Sequence, residues 1–548
     1  MNRHIASLGA GLIIAAGLSW GVWWALAVPV SVPDAPPGKV HCVSYTPFRG
    51  SETPFDPLYL ADPRQIESDL RLVSRYSDCI RLYAPDQGLA AAIPIAGAYG
   101  MKVLLGIWIG RDPVANQNQI AMGASLATAF KDSIKAVIVG NEVLLRGEQT
   151  AHTMAELAKS VKNETGLPVT YADVTDFWLT APRELADAVD FITIHILPYW
   201  EDRPQSAARG IEVVKSAVER VHARFPDKPI YIGETGFPSA WRERETAIPS
   251  LVSQARYLRS FMRYAEDAGL DYNLIEAFDQ PWKRLLEGTA GGYWGIYDSG
   301  RAPKFPWQGP VSNHPQWRSG GEASIAVSFV LFLGWFAGGA VSSMRRGALL
   351  GLAAGFGGLL IVLQVEHSWA AWRSPQEFAI EAVVLIQSLA AAFFLPPEMA
   401  KGRDAPPPAR LSACLRFLRG PRAISFDRPL GFGLLRLAGT VFALIASLCL
   451  AFDPRYRDFP NAAFAVFAAG FAWIALARGD AFRPVPVRYG ESILACLFCV
   501  AAAIIFINET PLNLEADFWS ALNLLMVLPW IGALRGLRAG WRRREGSK

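Results

Sequence analysis

Eight short apolar strand candidates that alternate with helical patterns, flanked on both sides by long uncharged runs, predict an α/β chain in two parts. The first part is a (β/α)8 barrel of the TIM class lying outside a membrane, and the second is a polytopic α-helical transmembrane domain. Composition points the same way: 51% of the 548 residues are hydrophobic, high for a purely soluble protein, and they are unevenly spread. The formal net charge is only +4, and much of the positive charge lies in loops and the tail of the second half. That pattern reads as membrane topology and not as a nucleic-acid footprint, so no nucleic-acid partner is expected.

The chain opens with an apolar run from Ile5 to Val30 that follows Arg3 and His4 and contains no acidic residue. It exceeds an ordinary signal core and carries Trp20, Trp23 and Trp24 where a cleavage site needs small residues, so residues 1–30 are expected to form an uncleaved anchor. Arg3 then stays in the cytoplasm, and the Pro-rich linker at 31–39 and all that follows up to the next span lie on the outer side, periplasmic in a bacterial cell.

Within 40–305 the strand candidates are Val40 to Thr46, Asp78 to Tyr83, Lys102 to Ile109, Ala136 to Glu142, Pro168 to Ala172, Asp190 to His195, Pro229 to Glu234 and Tyr272 to Phe278. Amphipathic patterns separate most of them, for example Arg64 to Tyr76 with Ile66, Leu70 and Val73, and Ile211 to Phe225 with Val214, Val218 and Val221. The closing helix is the poor fit, because Asp279-Gln-Pro-Trp282-Lys283 and a Gly/Trp-rich stretch follow the eighth strand, and a short helix or loop is expected there.

After a linker at 306–322, residues 323–548 hold about seven further apolar segments. They run from Ala323 to Ser343, Ala348 to Gln364, Phe378 to Leu395, Gly431 to Phe452, Ala462 to Ala477, Ile493 to Ile507 and Trp519 to Leu534. Alternate loops carry the Lys/Arg: Arg345 and Arg346; Lys401, Arg403, Arg410, Arg416, Arg419 and Arg422; Arg478, Arg483 and Arg488; Arg538 and Arg542 to Arg544. The opposite loops hold Arg373, the mixed Asp453 to Asp458 and the acidic Glu509 to Asp517. Both termini are therefore expected in the cytoplasm, in a multi-pass protein of the inner membrane. Glu366, Glu381 and Arg436 fall near span ends, where charges reach the interface, and anchoring or partner docking is favoured over sugar transport.

Cys496-Leu-Phe-Cys499 matches a redox or metal spacing only as a pattern, and lipid-facing or packing cysteines are expected. Cys42 and Cys79 lie in the outer segment, where a disulfide is permitted; both stand near strand starts, and buried free thiols are expected ahead of a bridge. No metal or cofactor is expected. His41 and His195 sit on different strands without a Cys or Asp at ligand spacing and read as structural or sugar-contacting, and no glycine-rich phosphate loop is present.

The chemistry is carried by two strand candidates that end in glutamate, Ala136-Val-Ile-Val-Gly-Asn-Glu142 and Pro229-Ile-Tyr-Ile-Gly-Glu234. In a parallel barrel this is the end at which active sites are built. Cleaving a glycosidic bond with retention takes one carboxylic acid to protonate the leaving oxygen and one carboxylate, ~5 Å away, to attack the anomeric carbon. Mutual repulsion of two such groups is expected to keep one of them protonated near neutral pH.

Asn141-Glu142 on the fourth strand, Gly233-Glu234-Thr-Gly-Phe-Pro238 on the seventh and Glu276-Ala-Phe-Asp-Gln-Pro-Trp-Lys283 on the eighth resemble glycoside hydrolase family 17, clan-A β/α barrels acting on β-1,3-glucans. Ser44-Tyr45-Thr-Pro47 and Ile80-Arg81-Leu-Tyr83 support the likeness, which covers about half the chain. The membrane half is similar instead to bacterial membrane-tethered members, some resembling β-glucan transglycosylases. The resemblance implies Glu142 as acid/base, Glu234 as nucleophile and Asn141 as a hydrogen-bond partner of the sugar 2-hydroxyl. By weaker analogy, Arg81 and Tyr199 hold Glu234 ionised and oriented. Tyr45, Tyr83, Glu276 and Lys283 are further candidates for substrate contact, with Glu276 equally readable as structural. Among Trp108, Trp178, Tyr199, Trp200, Trp282 and Trp294, three or four are expected to line the cleft and meet the apolar faces of glucose rings.

Three functions follow. The favoured one is a membrane-bound glucan transglycosylase that elongates, branches or cyclises β-glucan, with a glucan donor, a sugar acceptor, the bilayer and a membrane glucan synthase as its partners. The alternatives are an endo-β-1,3-glucanase and a non-catalytic glucan-binding export or assembly factor.

Overall fold

The structure, a computed structural model, describes residues 2–420, 425–480, 482, 489–509 and 511–535. Arg422, Arg483, Arg488, Arg538 and Arg542 to Arg544, assigned above to cytoplasmic loops, lie outside the described residues. The chain divides into two compact units, Pro29–Val311 and the combination of Met1–Val28 with Ser312–Lys548.

In the first unit eight parallel strands close a barrel in sequence order: β1 (Val43–Ser44), β2 (Cys79–Leu82), β3 (Lys102–Ile107), β4 (Ile134–Asn141), β5 (Val169–Val174), β6 (Ile192–His195), β7 (Ile230–Thr235) and β8 (Asp271–Leu274). Numbering the helices over the whole chain, α1 being Asn2–Leu26 of the other unit, the outer layer comprises α2 (Pro63–Val73), α3 (Ala92–Ala98), α4 (Pro113–Ala129), α5 (Ala151–Thr165), α6 (Thr175–Thr180), α7 (Arg183–Ala188), α8 (Gly210–Arg224) and α9 (Leu251–Ala268). Local chemistry sets their ends. Asp62-Pro63 and Asp112-Pro113 each place a proline at the first helical position and an aspartate that accepts the N–H of Arg64 or Val114 at 2.9 Å. Gly166 and Gly269 close α5 and α9 in left-handed conformations. Strand faces turned to the helices join one apolar core, and Leu104, Ala136, Ile138, Ala172 and Tyr231 form a second cluster with Cys42 and Cys79.

That second cluster corrects the cysteine reading. Cys42 and Cys79 are joined as a disulfide, because the parallel register that pairs Val43 with Ile80 sets the preceding residues side by side, Cα to Cα 4.3 Å. The segment after β8 does hold only a short helix, α10 (Arg284–Gly291), with a break at Gly288, whose φ of 71° a side chain rarely tolerates. The entering and leaving segments of this unit are tied together: Val30 bridges Val311, and the buried Arg259 of α9 donates to the carbonyls of Pro33 and Gly309.

The second unit is helical: α1, then α11 (Trp317–Ala337), α12 (Met344–Ala371), α13 (Pro375–Lys401), α14 (Leu411–Arg419), α15 (Arg428–Phe452), α16 (Asn461–Arg478), α17 (Tyr489–Glu509) and α18 (Leu514–Val527). Among the described residues, eight helices are long and apolar enough to cross a membrane. The short α14 lies where the sequence reads only a loop. α1 packs on α12 along glycines; a Cβ on Gly351 would stand 2.6 Å from the Gly11 carbonyl oxygen, and one on Gly347 would stand 2.7 Å from that of Ser7. Between α1 and α11, Trp23 Nε1 donates to Ser324 Oγ at 2.8 Å and the Ser19 and Ser328 hydroxyls meet at 3.2 Å, so these buried polar atoms find partners within the unit.

Candidate active site

Strand periodicity brings the polar groups together at the C-terminal end of the barrel. Arg81 on β2 and Tyr83 two residues later share a face, His195 ends β6 opposite Glu234 on β7, and Glu142 follows β4 by one residue. Arg81 is 1% exposed and is the hub. Its Nη1 donates to Glu234 Oε1 (3.2 Å), to the Gly233 carbonyl (2.8 Å) and to His195 Nε2 (3.2 Å), and its Nη2 donates to Asn141 Oδ1. Tyr83 Oη donates to the same Glu234 oxygen at 2.8 Å and lies 3.1 Å from Ser44 Oγ, to which Asn273 donates at 2.9 Å. Glu234 is thereby fixed from two sides and 6% exposed.

Glu142 is held differently. Its Oε1 lies 2.8 Å from His195 Nδ1. Because Arg81 can only donate, Nε2 of His195 accepts, and Nδ1 carries the proton offered to Glu142. One oxygen each of Glu142 and Glu234 and a His195 nitrogen all lie within 4.8 Å of one another. These three side chains have the composition of a metal site, but the Arg81 guanidinium already occupies Glu234 Oε1 and His195 Nε2, and a cation there would meet its charge. Burial raises the Glu142 carboxyl, but the His195 hydrogen bond and the positive charges of Arg81 and Arg146 outweigh it and leave the group below its ordinary value. Mutual repulsion of the two glutamates therefore does not dominate, because the Arg81 guanidinium and the His195 N–H sit among them.

Glu276, just past β8, is fully buried; Lys283 Nζ donates to its Oε1 at 2.8 Å, while Oε2 is buried with no hydrogen-bond partner among the described residues. Burial raises its carboxyl despite Lys283. Glu287 on α10 belongs to the same electrostatic group and was not read from the sequence. Desolvation lifts it to about 7 against the pull of Lys283, with the charges of Glu276, Glu234 and Glu142 adding to the rise. The readable signal was its position four residues after Lys283, one helical turn on.

Several candidates lie elsewhere. Tyr199 does not orient Glu234: it is buried beyond the end of β6, and its hydroxyl donates to the Arg242 carbonyl at 2.7 Å, so Tyr83 holds the position given to it. Tyr45 is buried too, with its hydroxyl 3.3 Å from Asp69, which leaves no surface for a sugar. Trp178 packs edge-on to Phe225 and donates to the Thr193 carbonyl, and Trp294 is likewise enclosed. Trp108, Trp200 and Trp282 keep accessible surface. Trp108, 40% exposed, carries the Arg146 guanidinium 4.4 Å above its ring; Trp200 stacks on Trp294; Trp282 meets Phe48 and Phe55 edge-on.

Residues 42–295 match the model of the BtgE/BtgC glycoside hydrolase domain. A glucan 1,3-β-glucosidase of Candida albicans is 26% identical over 265 residues, covering 44% of this chain and 86% of that one. A protein of the same name from Arthroderma benhamiae is 28% identical over 269 residues, covering 44% and 84%. Among solved structures, a glycoside hydrolase family 17 β-1,3-glucanosyltransferase from Rhizomucor miehei matches with a TM-score of 0.43 at 23% identity, covering 50% of this chain and 98% of that one. Residues 42–295 are thus similar to a glycoside hydrolase domain, and the chain is an enzyme of the glycoside hydrolase type.

Proposed function

We propose that this chain is a membrane-bound, retaining transglycosylase acting on β-1,3-glucan. One observation carries the reading: carboxylate oxygens of Glu142 and Glu234, at the ends of β4 and β7, lie within 4.8 Å of each other. Retaining enzymes place their two carboxyl groups about 5–5.5 Å apart, whereas inverting ones need roughly 6.5 Å or more to admit a water.

Glu234 attacks the anomeric carbon as Glu142 gives its proton to the departing glycosidic oxygen, leaving a covalent glycosyl-enzyme and a freed sugar hydroxyl. Glu142, now a carboxylate, takes the proton of an incoming hydroxyl as that oxygen displaces Glu234. Arg81 and Tyr83 fix the attacking oxygen, and Asn141, held by Arg81, faces the place of the 2-hydroxyl. The partnerless Oε2 of Glu276 is a ready acceptor for a sugar hydroxyl, which favours substrate contact over a purely structural part. Trp108, Trp200 and Trp282 offer faces for glucose rings.

The β-1,3 linkage rests on the names of the Candida albicans and Arthroderma benhamiae relatives. Eight long apolar helices and the alternation of Lys/Arg-rich loops support a multi-pass inner-membrane protein, with both termini cytoplasmic and residues 40–305 as the outer catalytic domain between the 1–30 anchor and the 323–548 helices. Such an anchor keeps the barrel beside membrane-made polymer, a setting in which a sugar acceptor competes well with water and a glucan synthase is the natural partner. The relatives' glucosidase names favour hydrolysis as the second reading, with water resolving the same intermediate. Incubation with laminari-oligosaccharides separates the two. Products longer than the donor are expected, and products that are only shorter would establish hydrolysis instead.

A further inference from the structure

Glu142 stands in a backbone conformation that side chains rarely adopt, with φ of 53°, two residues after Gly140 at φ of 84°. The β4–β5 register shifts by one residue over this stretch, between Ile138 and Asn141, and pairing resumes at Asn141 with Ala172 just before the glutamate. A residue in the left-handed region persists only where its surroundings hold it.

The holding groups are on β5. Tyr171 and Asp173, two residues apart and so on one face of the strand, are both fully buried. Asp173 Oδ2 accepts the N–H of Leu144 (3.2 Å), the N–H of Leu145 (3.4 Å) and the Tyr171 hydroxyl, and its Oδ1 accepts the N–H of Val174 at 2.8 Å. Tyr171 Oη also accepts from Leu144 N at 2.9 Å. The turn after Glu142 thus directs two successive amides at one carboxylate. It is anchored before them by Glu142 N to the Ala172 carbonyl (2.8 Å) and after them by Arg146 N to the Glu142 carbonyl (2.9 Å).

We propose that Asp173, seconded by Tyr171, is a positioning residue for the acid/base: by gathering the amides of residues 144 and 145 it holds the turn that aims the Glu142 carboxyl. It touches no substrate and acts through the backbone. The assignment rests on the proposed role of Glu142, and the test is arranged so that the two fail differently.

Full-length Asp173→Asn protein keeps the side-chain volume but turns an amide toward those N–H groups. It is assayed on laminari-oligosaccharides, whose leaving group needs a proton, and on a 2,4-dinitrophenyl β-laminaribioside, whose leaving group does not. The expected result is a fall in kcat of about 100-fold on the oligosaccharides with KM little changed, and a near-normal first-turnover burst of dinitrophenol followed by slowed steady-state release, because the incoming hydroxyl still needs Glu142 as its base. Tyr171→Phe, which removes one hydroxyl, gives a smaller fall with the same selectivity and carries the test alone should the first variant not fold. A parallel loss of oligosaccharide turnover and of the dinitrophenol burst, or no loss in either, would overturn the proposal. Were Glu142→Gln itself to lose the dinitrophenol burst as fully as oligosaccharide turnover, the acid/base assignment would fail instead.

Discussion

Glu142 and Glu234 are the same residue at equivalent strand ends, and they are restrained in opposite ways. Glu234 lies inside β7, nearly enclosed, with two donors converging on one oxygen. Glu142 lies one residue beyond β4, partly accessible, in a left-handed turn supported from beneath by β5 and touched at its carboxyl by His195. The difference suits a division of labour. A nucleophile must present one oxygen at a fixed point, while an acid/base must reach a leaving group on the solvent side and exchange its proton twice per cycle.

The comparison breaks most sharply at Glu234. Glu234→Gln replaces the carboxylate proposed as nucleophile by a neutral amide, and activity on every glycoside, activated or not, should fall on the order of 10^4-fold or more. Substantial residual turnover measured on both substrate types would remove it from the nucleophile's place. Glu142→Gln should cost about 10^2- to 10^4-fold on laminari-oligosaccharides, the usual worth of a positioned acid, and far less in the first-turnover burst from a dinitrophenyl glycoside, whose later turnover slows for want of the base. Equal losses on the two would erase the distinction between the strand ends.

Smaller effects sharpen it. Tyr83→Phe deletes a hydrogen bond to a charged group, worth about 1.5–3 kcal/mol, and steady-state kinetics should show kcat/KM lower by roughly 10- to 100-fold for both leaving groups, as befits a partner of the nucleophile. His195→Phe should mainly move a pH limb. Glu142 lies below its ordinary value, and a general acid works only while protonated, so kcat/KM falls as pH rises through that value. Removing the His195 hydrogen bond, the largest lowering influence, raises the Glu142 value and should carry the alkaline limb to higher pH. A limb that stays or moves down would show that His195 does not tune this carboxyl.

How far the sequence could be read follows from what each signal encodes. The strand ends carrying Arg81, Asn141, Glu142 and Glu234 were legible because a run of β-branched residues closing on a polar group has one meaning in a parallel barrel. Period two fades just past the strand: Tyr83, one residue beyond β2 and two after Arg81, could be placed by it, but Tyr199, four past His195, could not, and it faces the β7–α9 loop. Tyr45 and Trp178 were misplaced because a strand-end aromatic serves the helix layer as readily as the cleft, and burial decides between them. The Cys42–Cys79 bridge depended on a one-residue register between β1 and β2, which composition does not encode. Asp173 was silent for a related reason: its function lies in amides on a turn some thirty residues earlier, a relation that exists only after β4 and β5 pair. In the helical unit the sequence reports solvent, through length, hydropathy and loop charge, and little of the glycine contacts that seat α1 against α12.

The central claim, that Glu234 forms a covalent bond to sugar opposite Glu142, is tested most directly by trapping. Intact-protein mass spectrometry after reaction with a 2-deoxy-2-fluoro glucosyl donor, followed by peptide mapping, should show one added glycosyl group on the peptide that contains Glu234. A label on Glu142 or on any other residue, or turnover with no trapped adduct, would contradict the account.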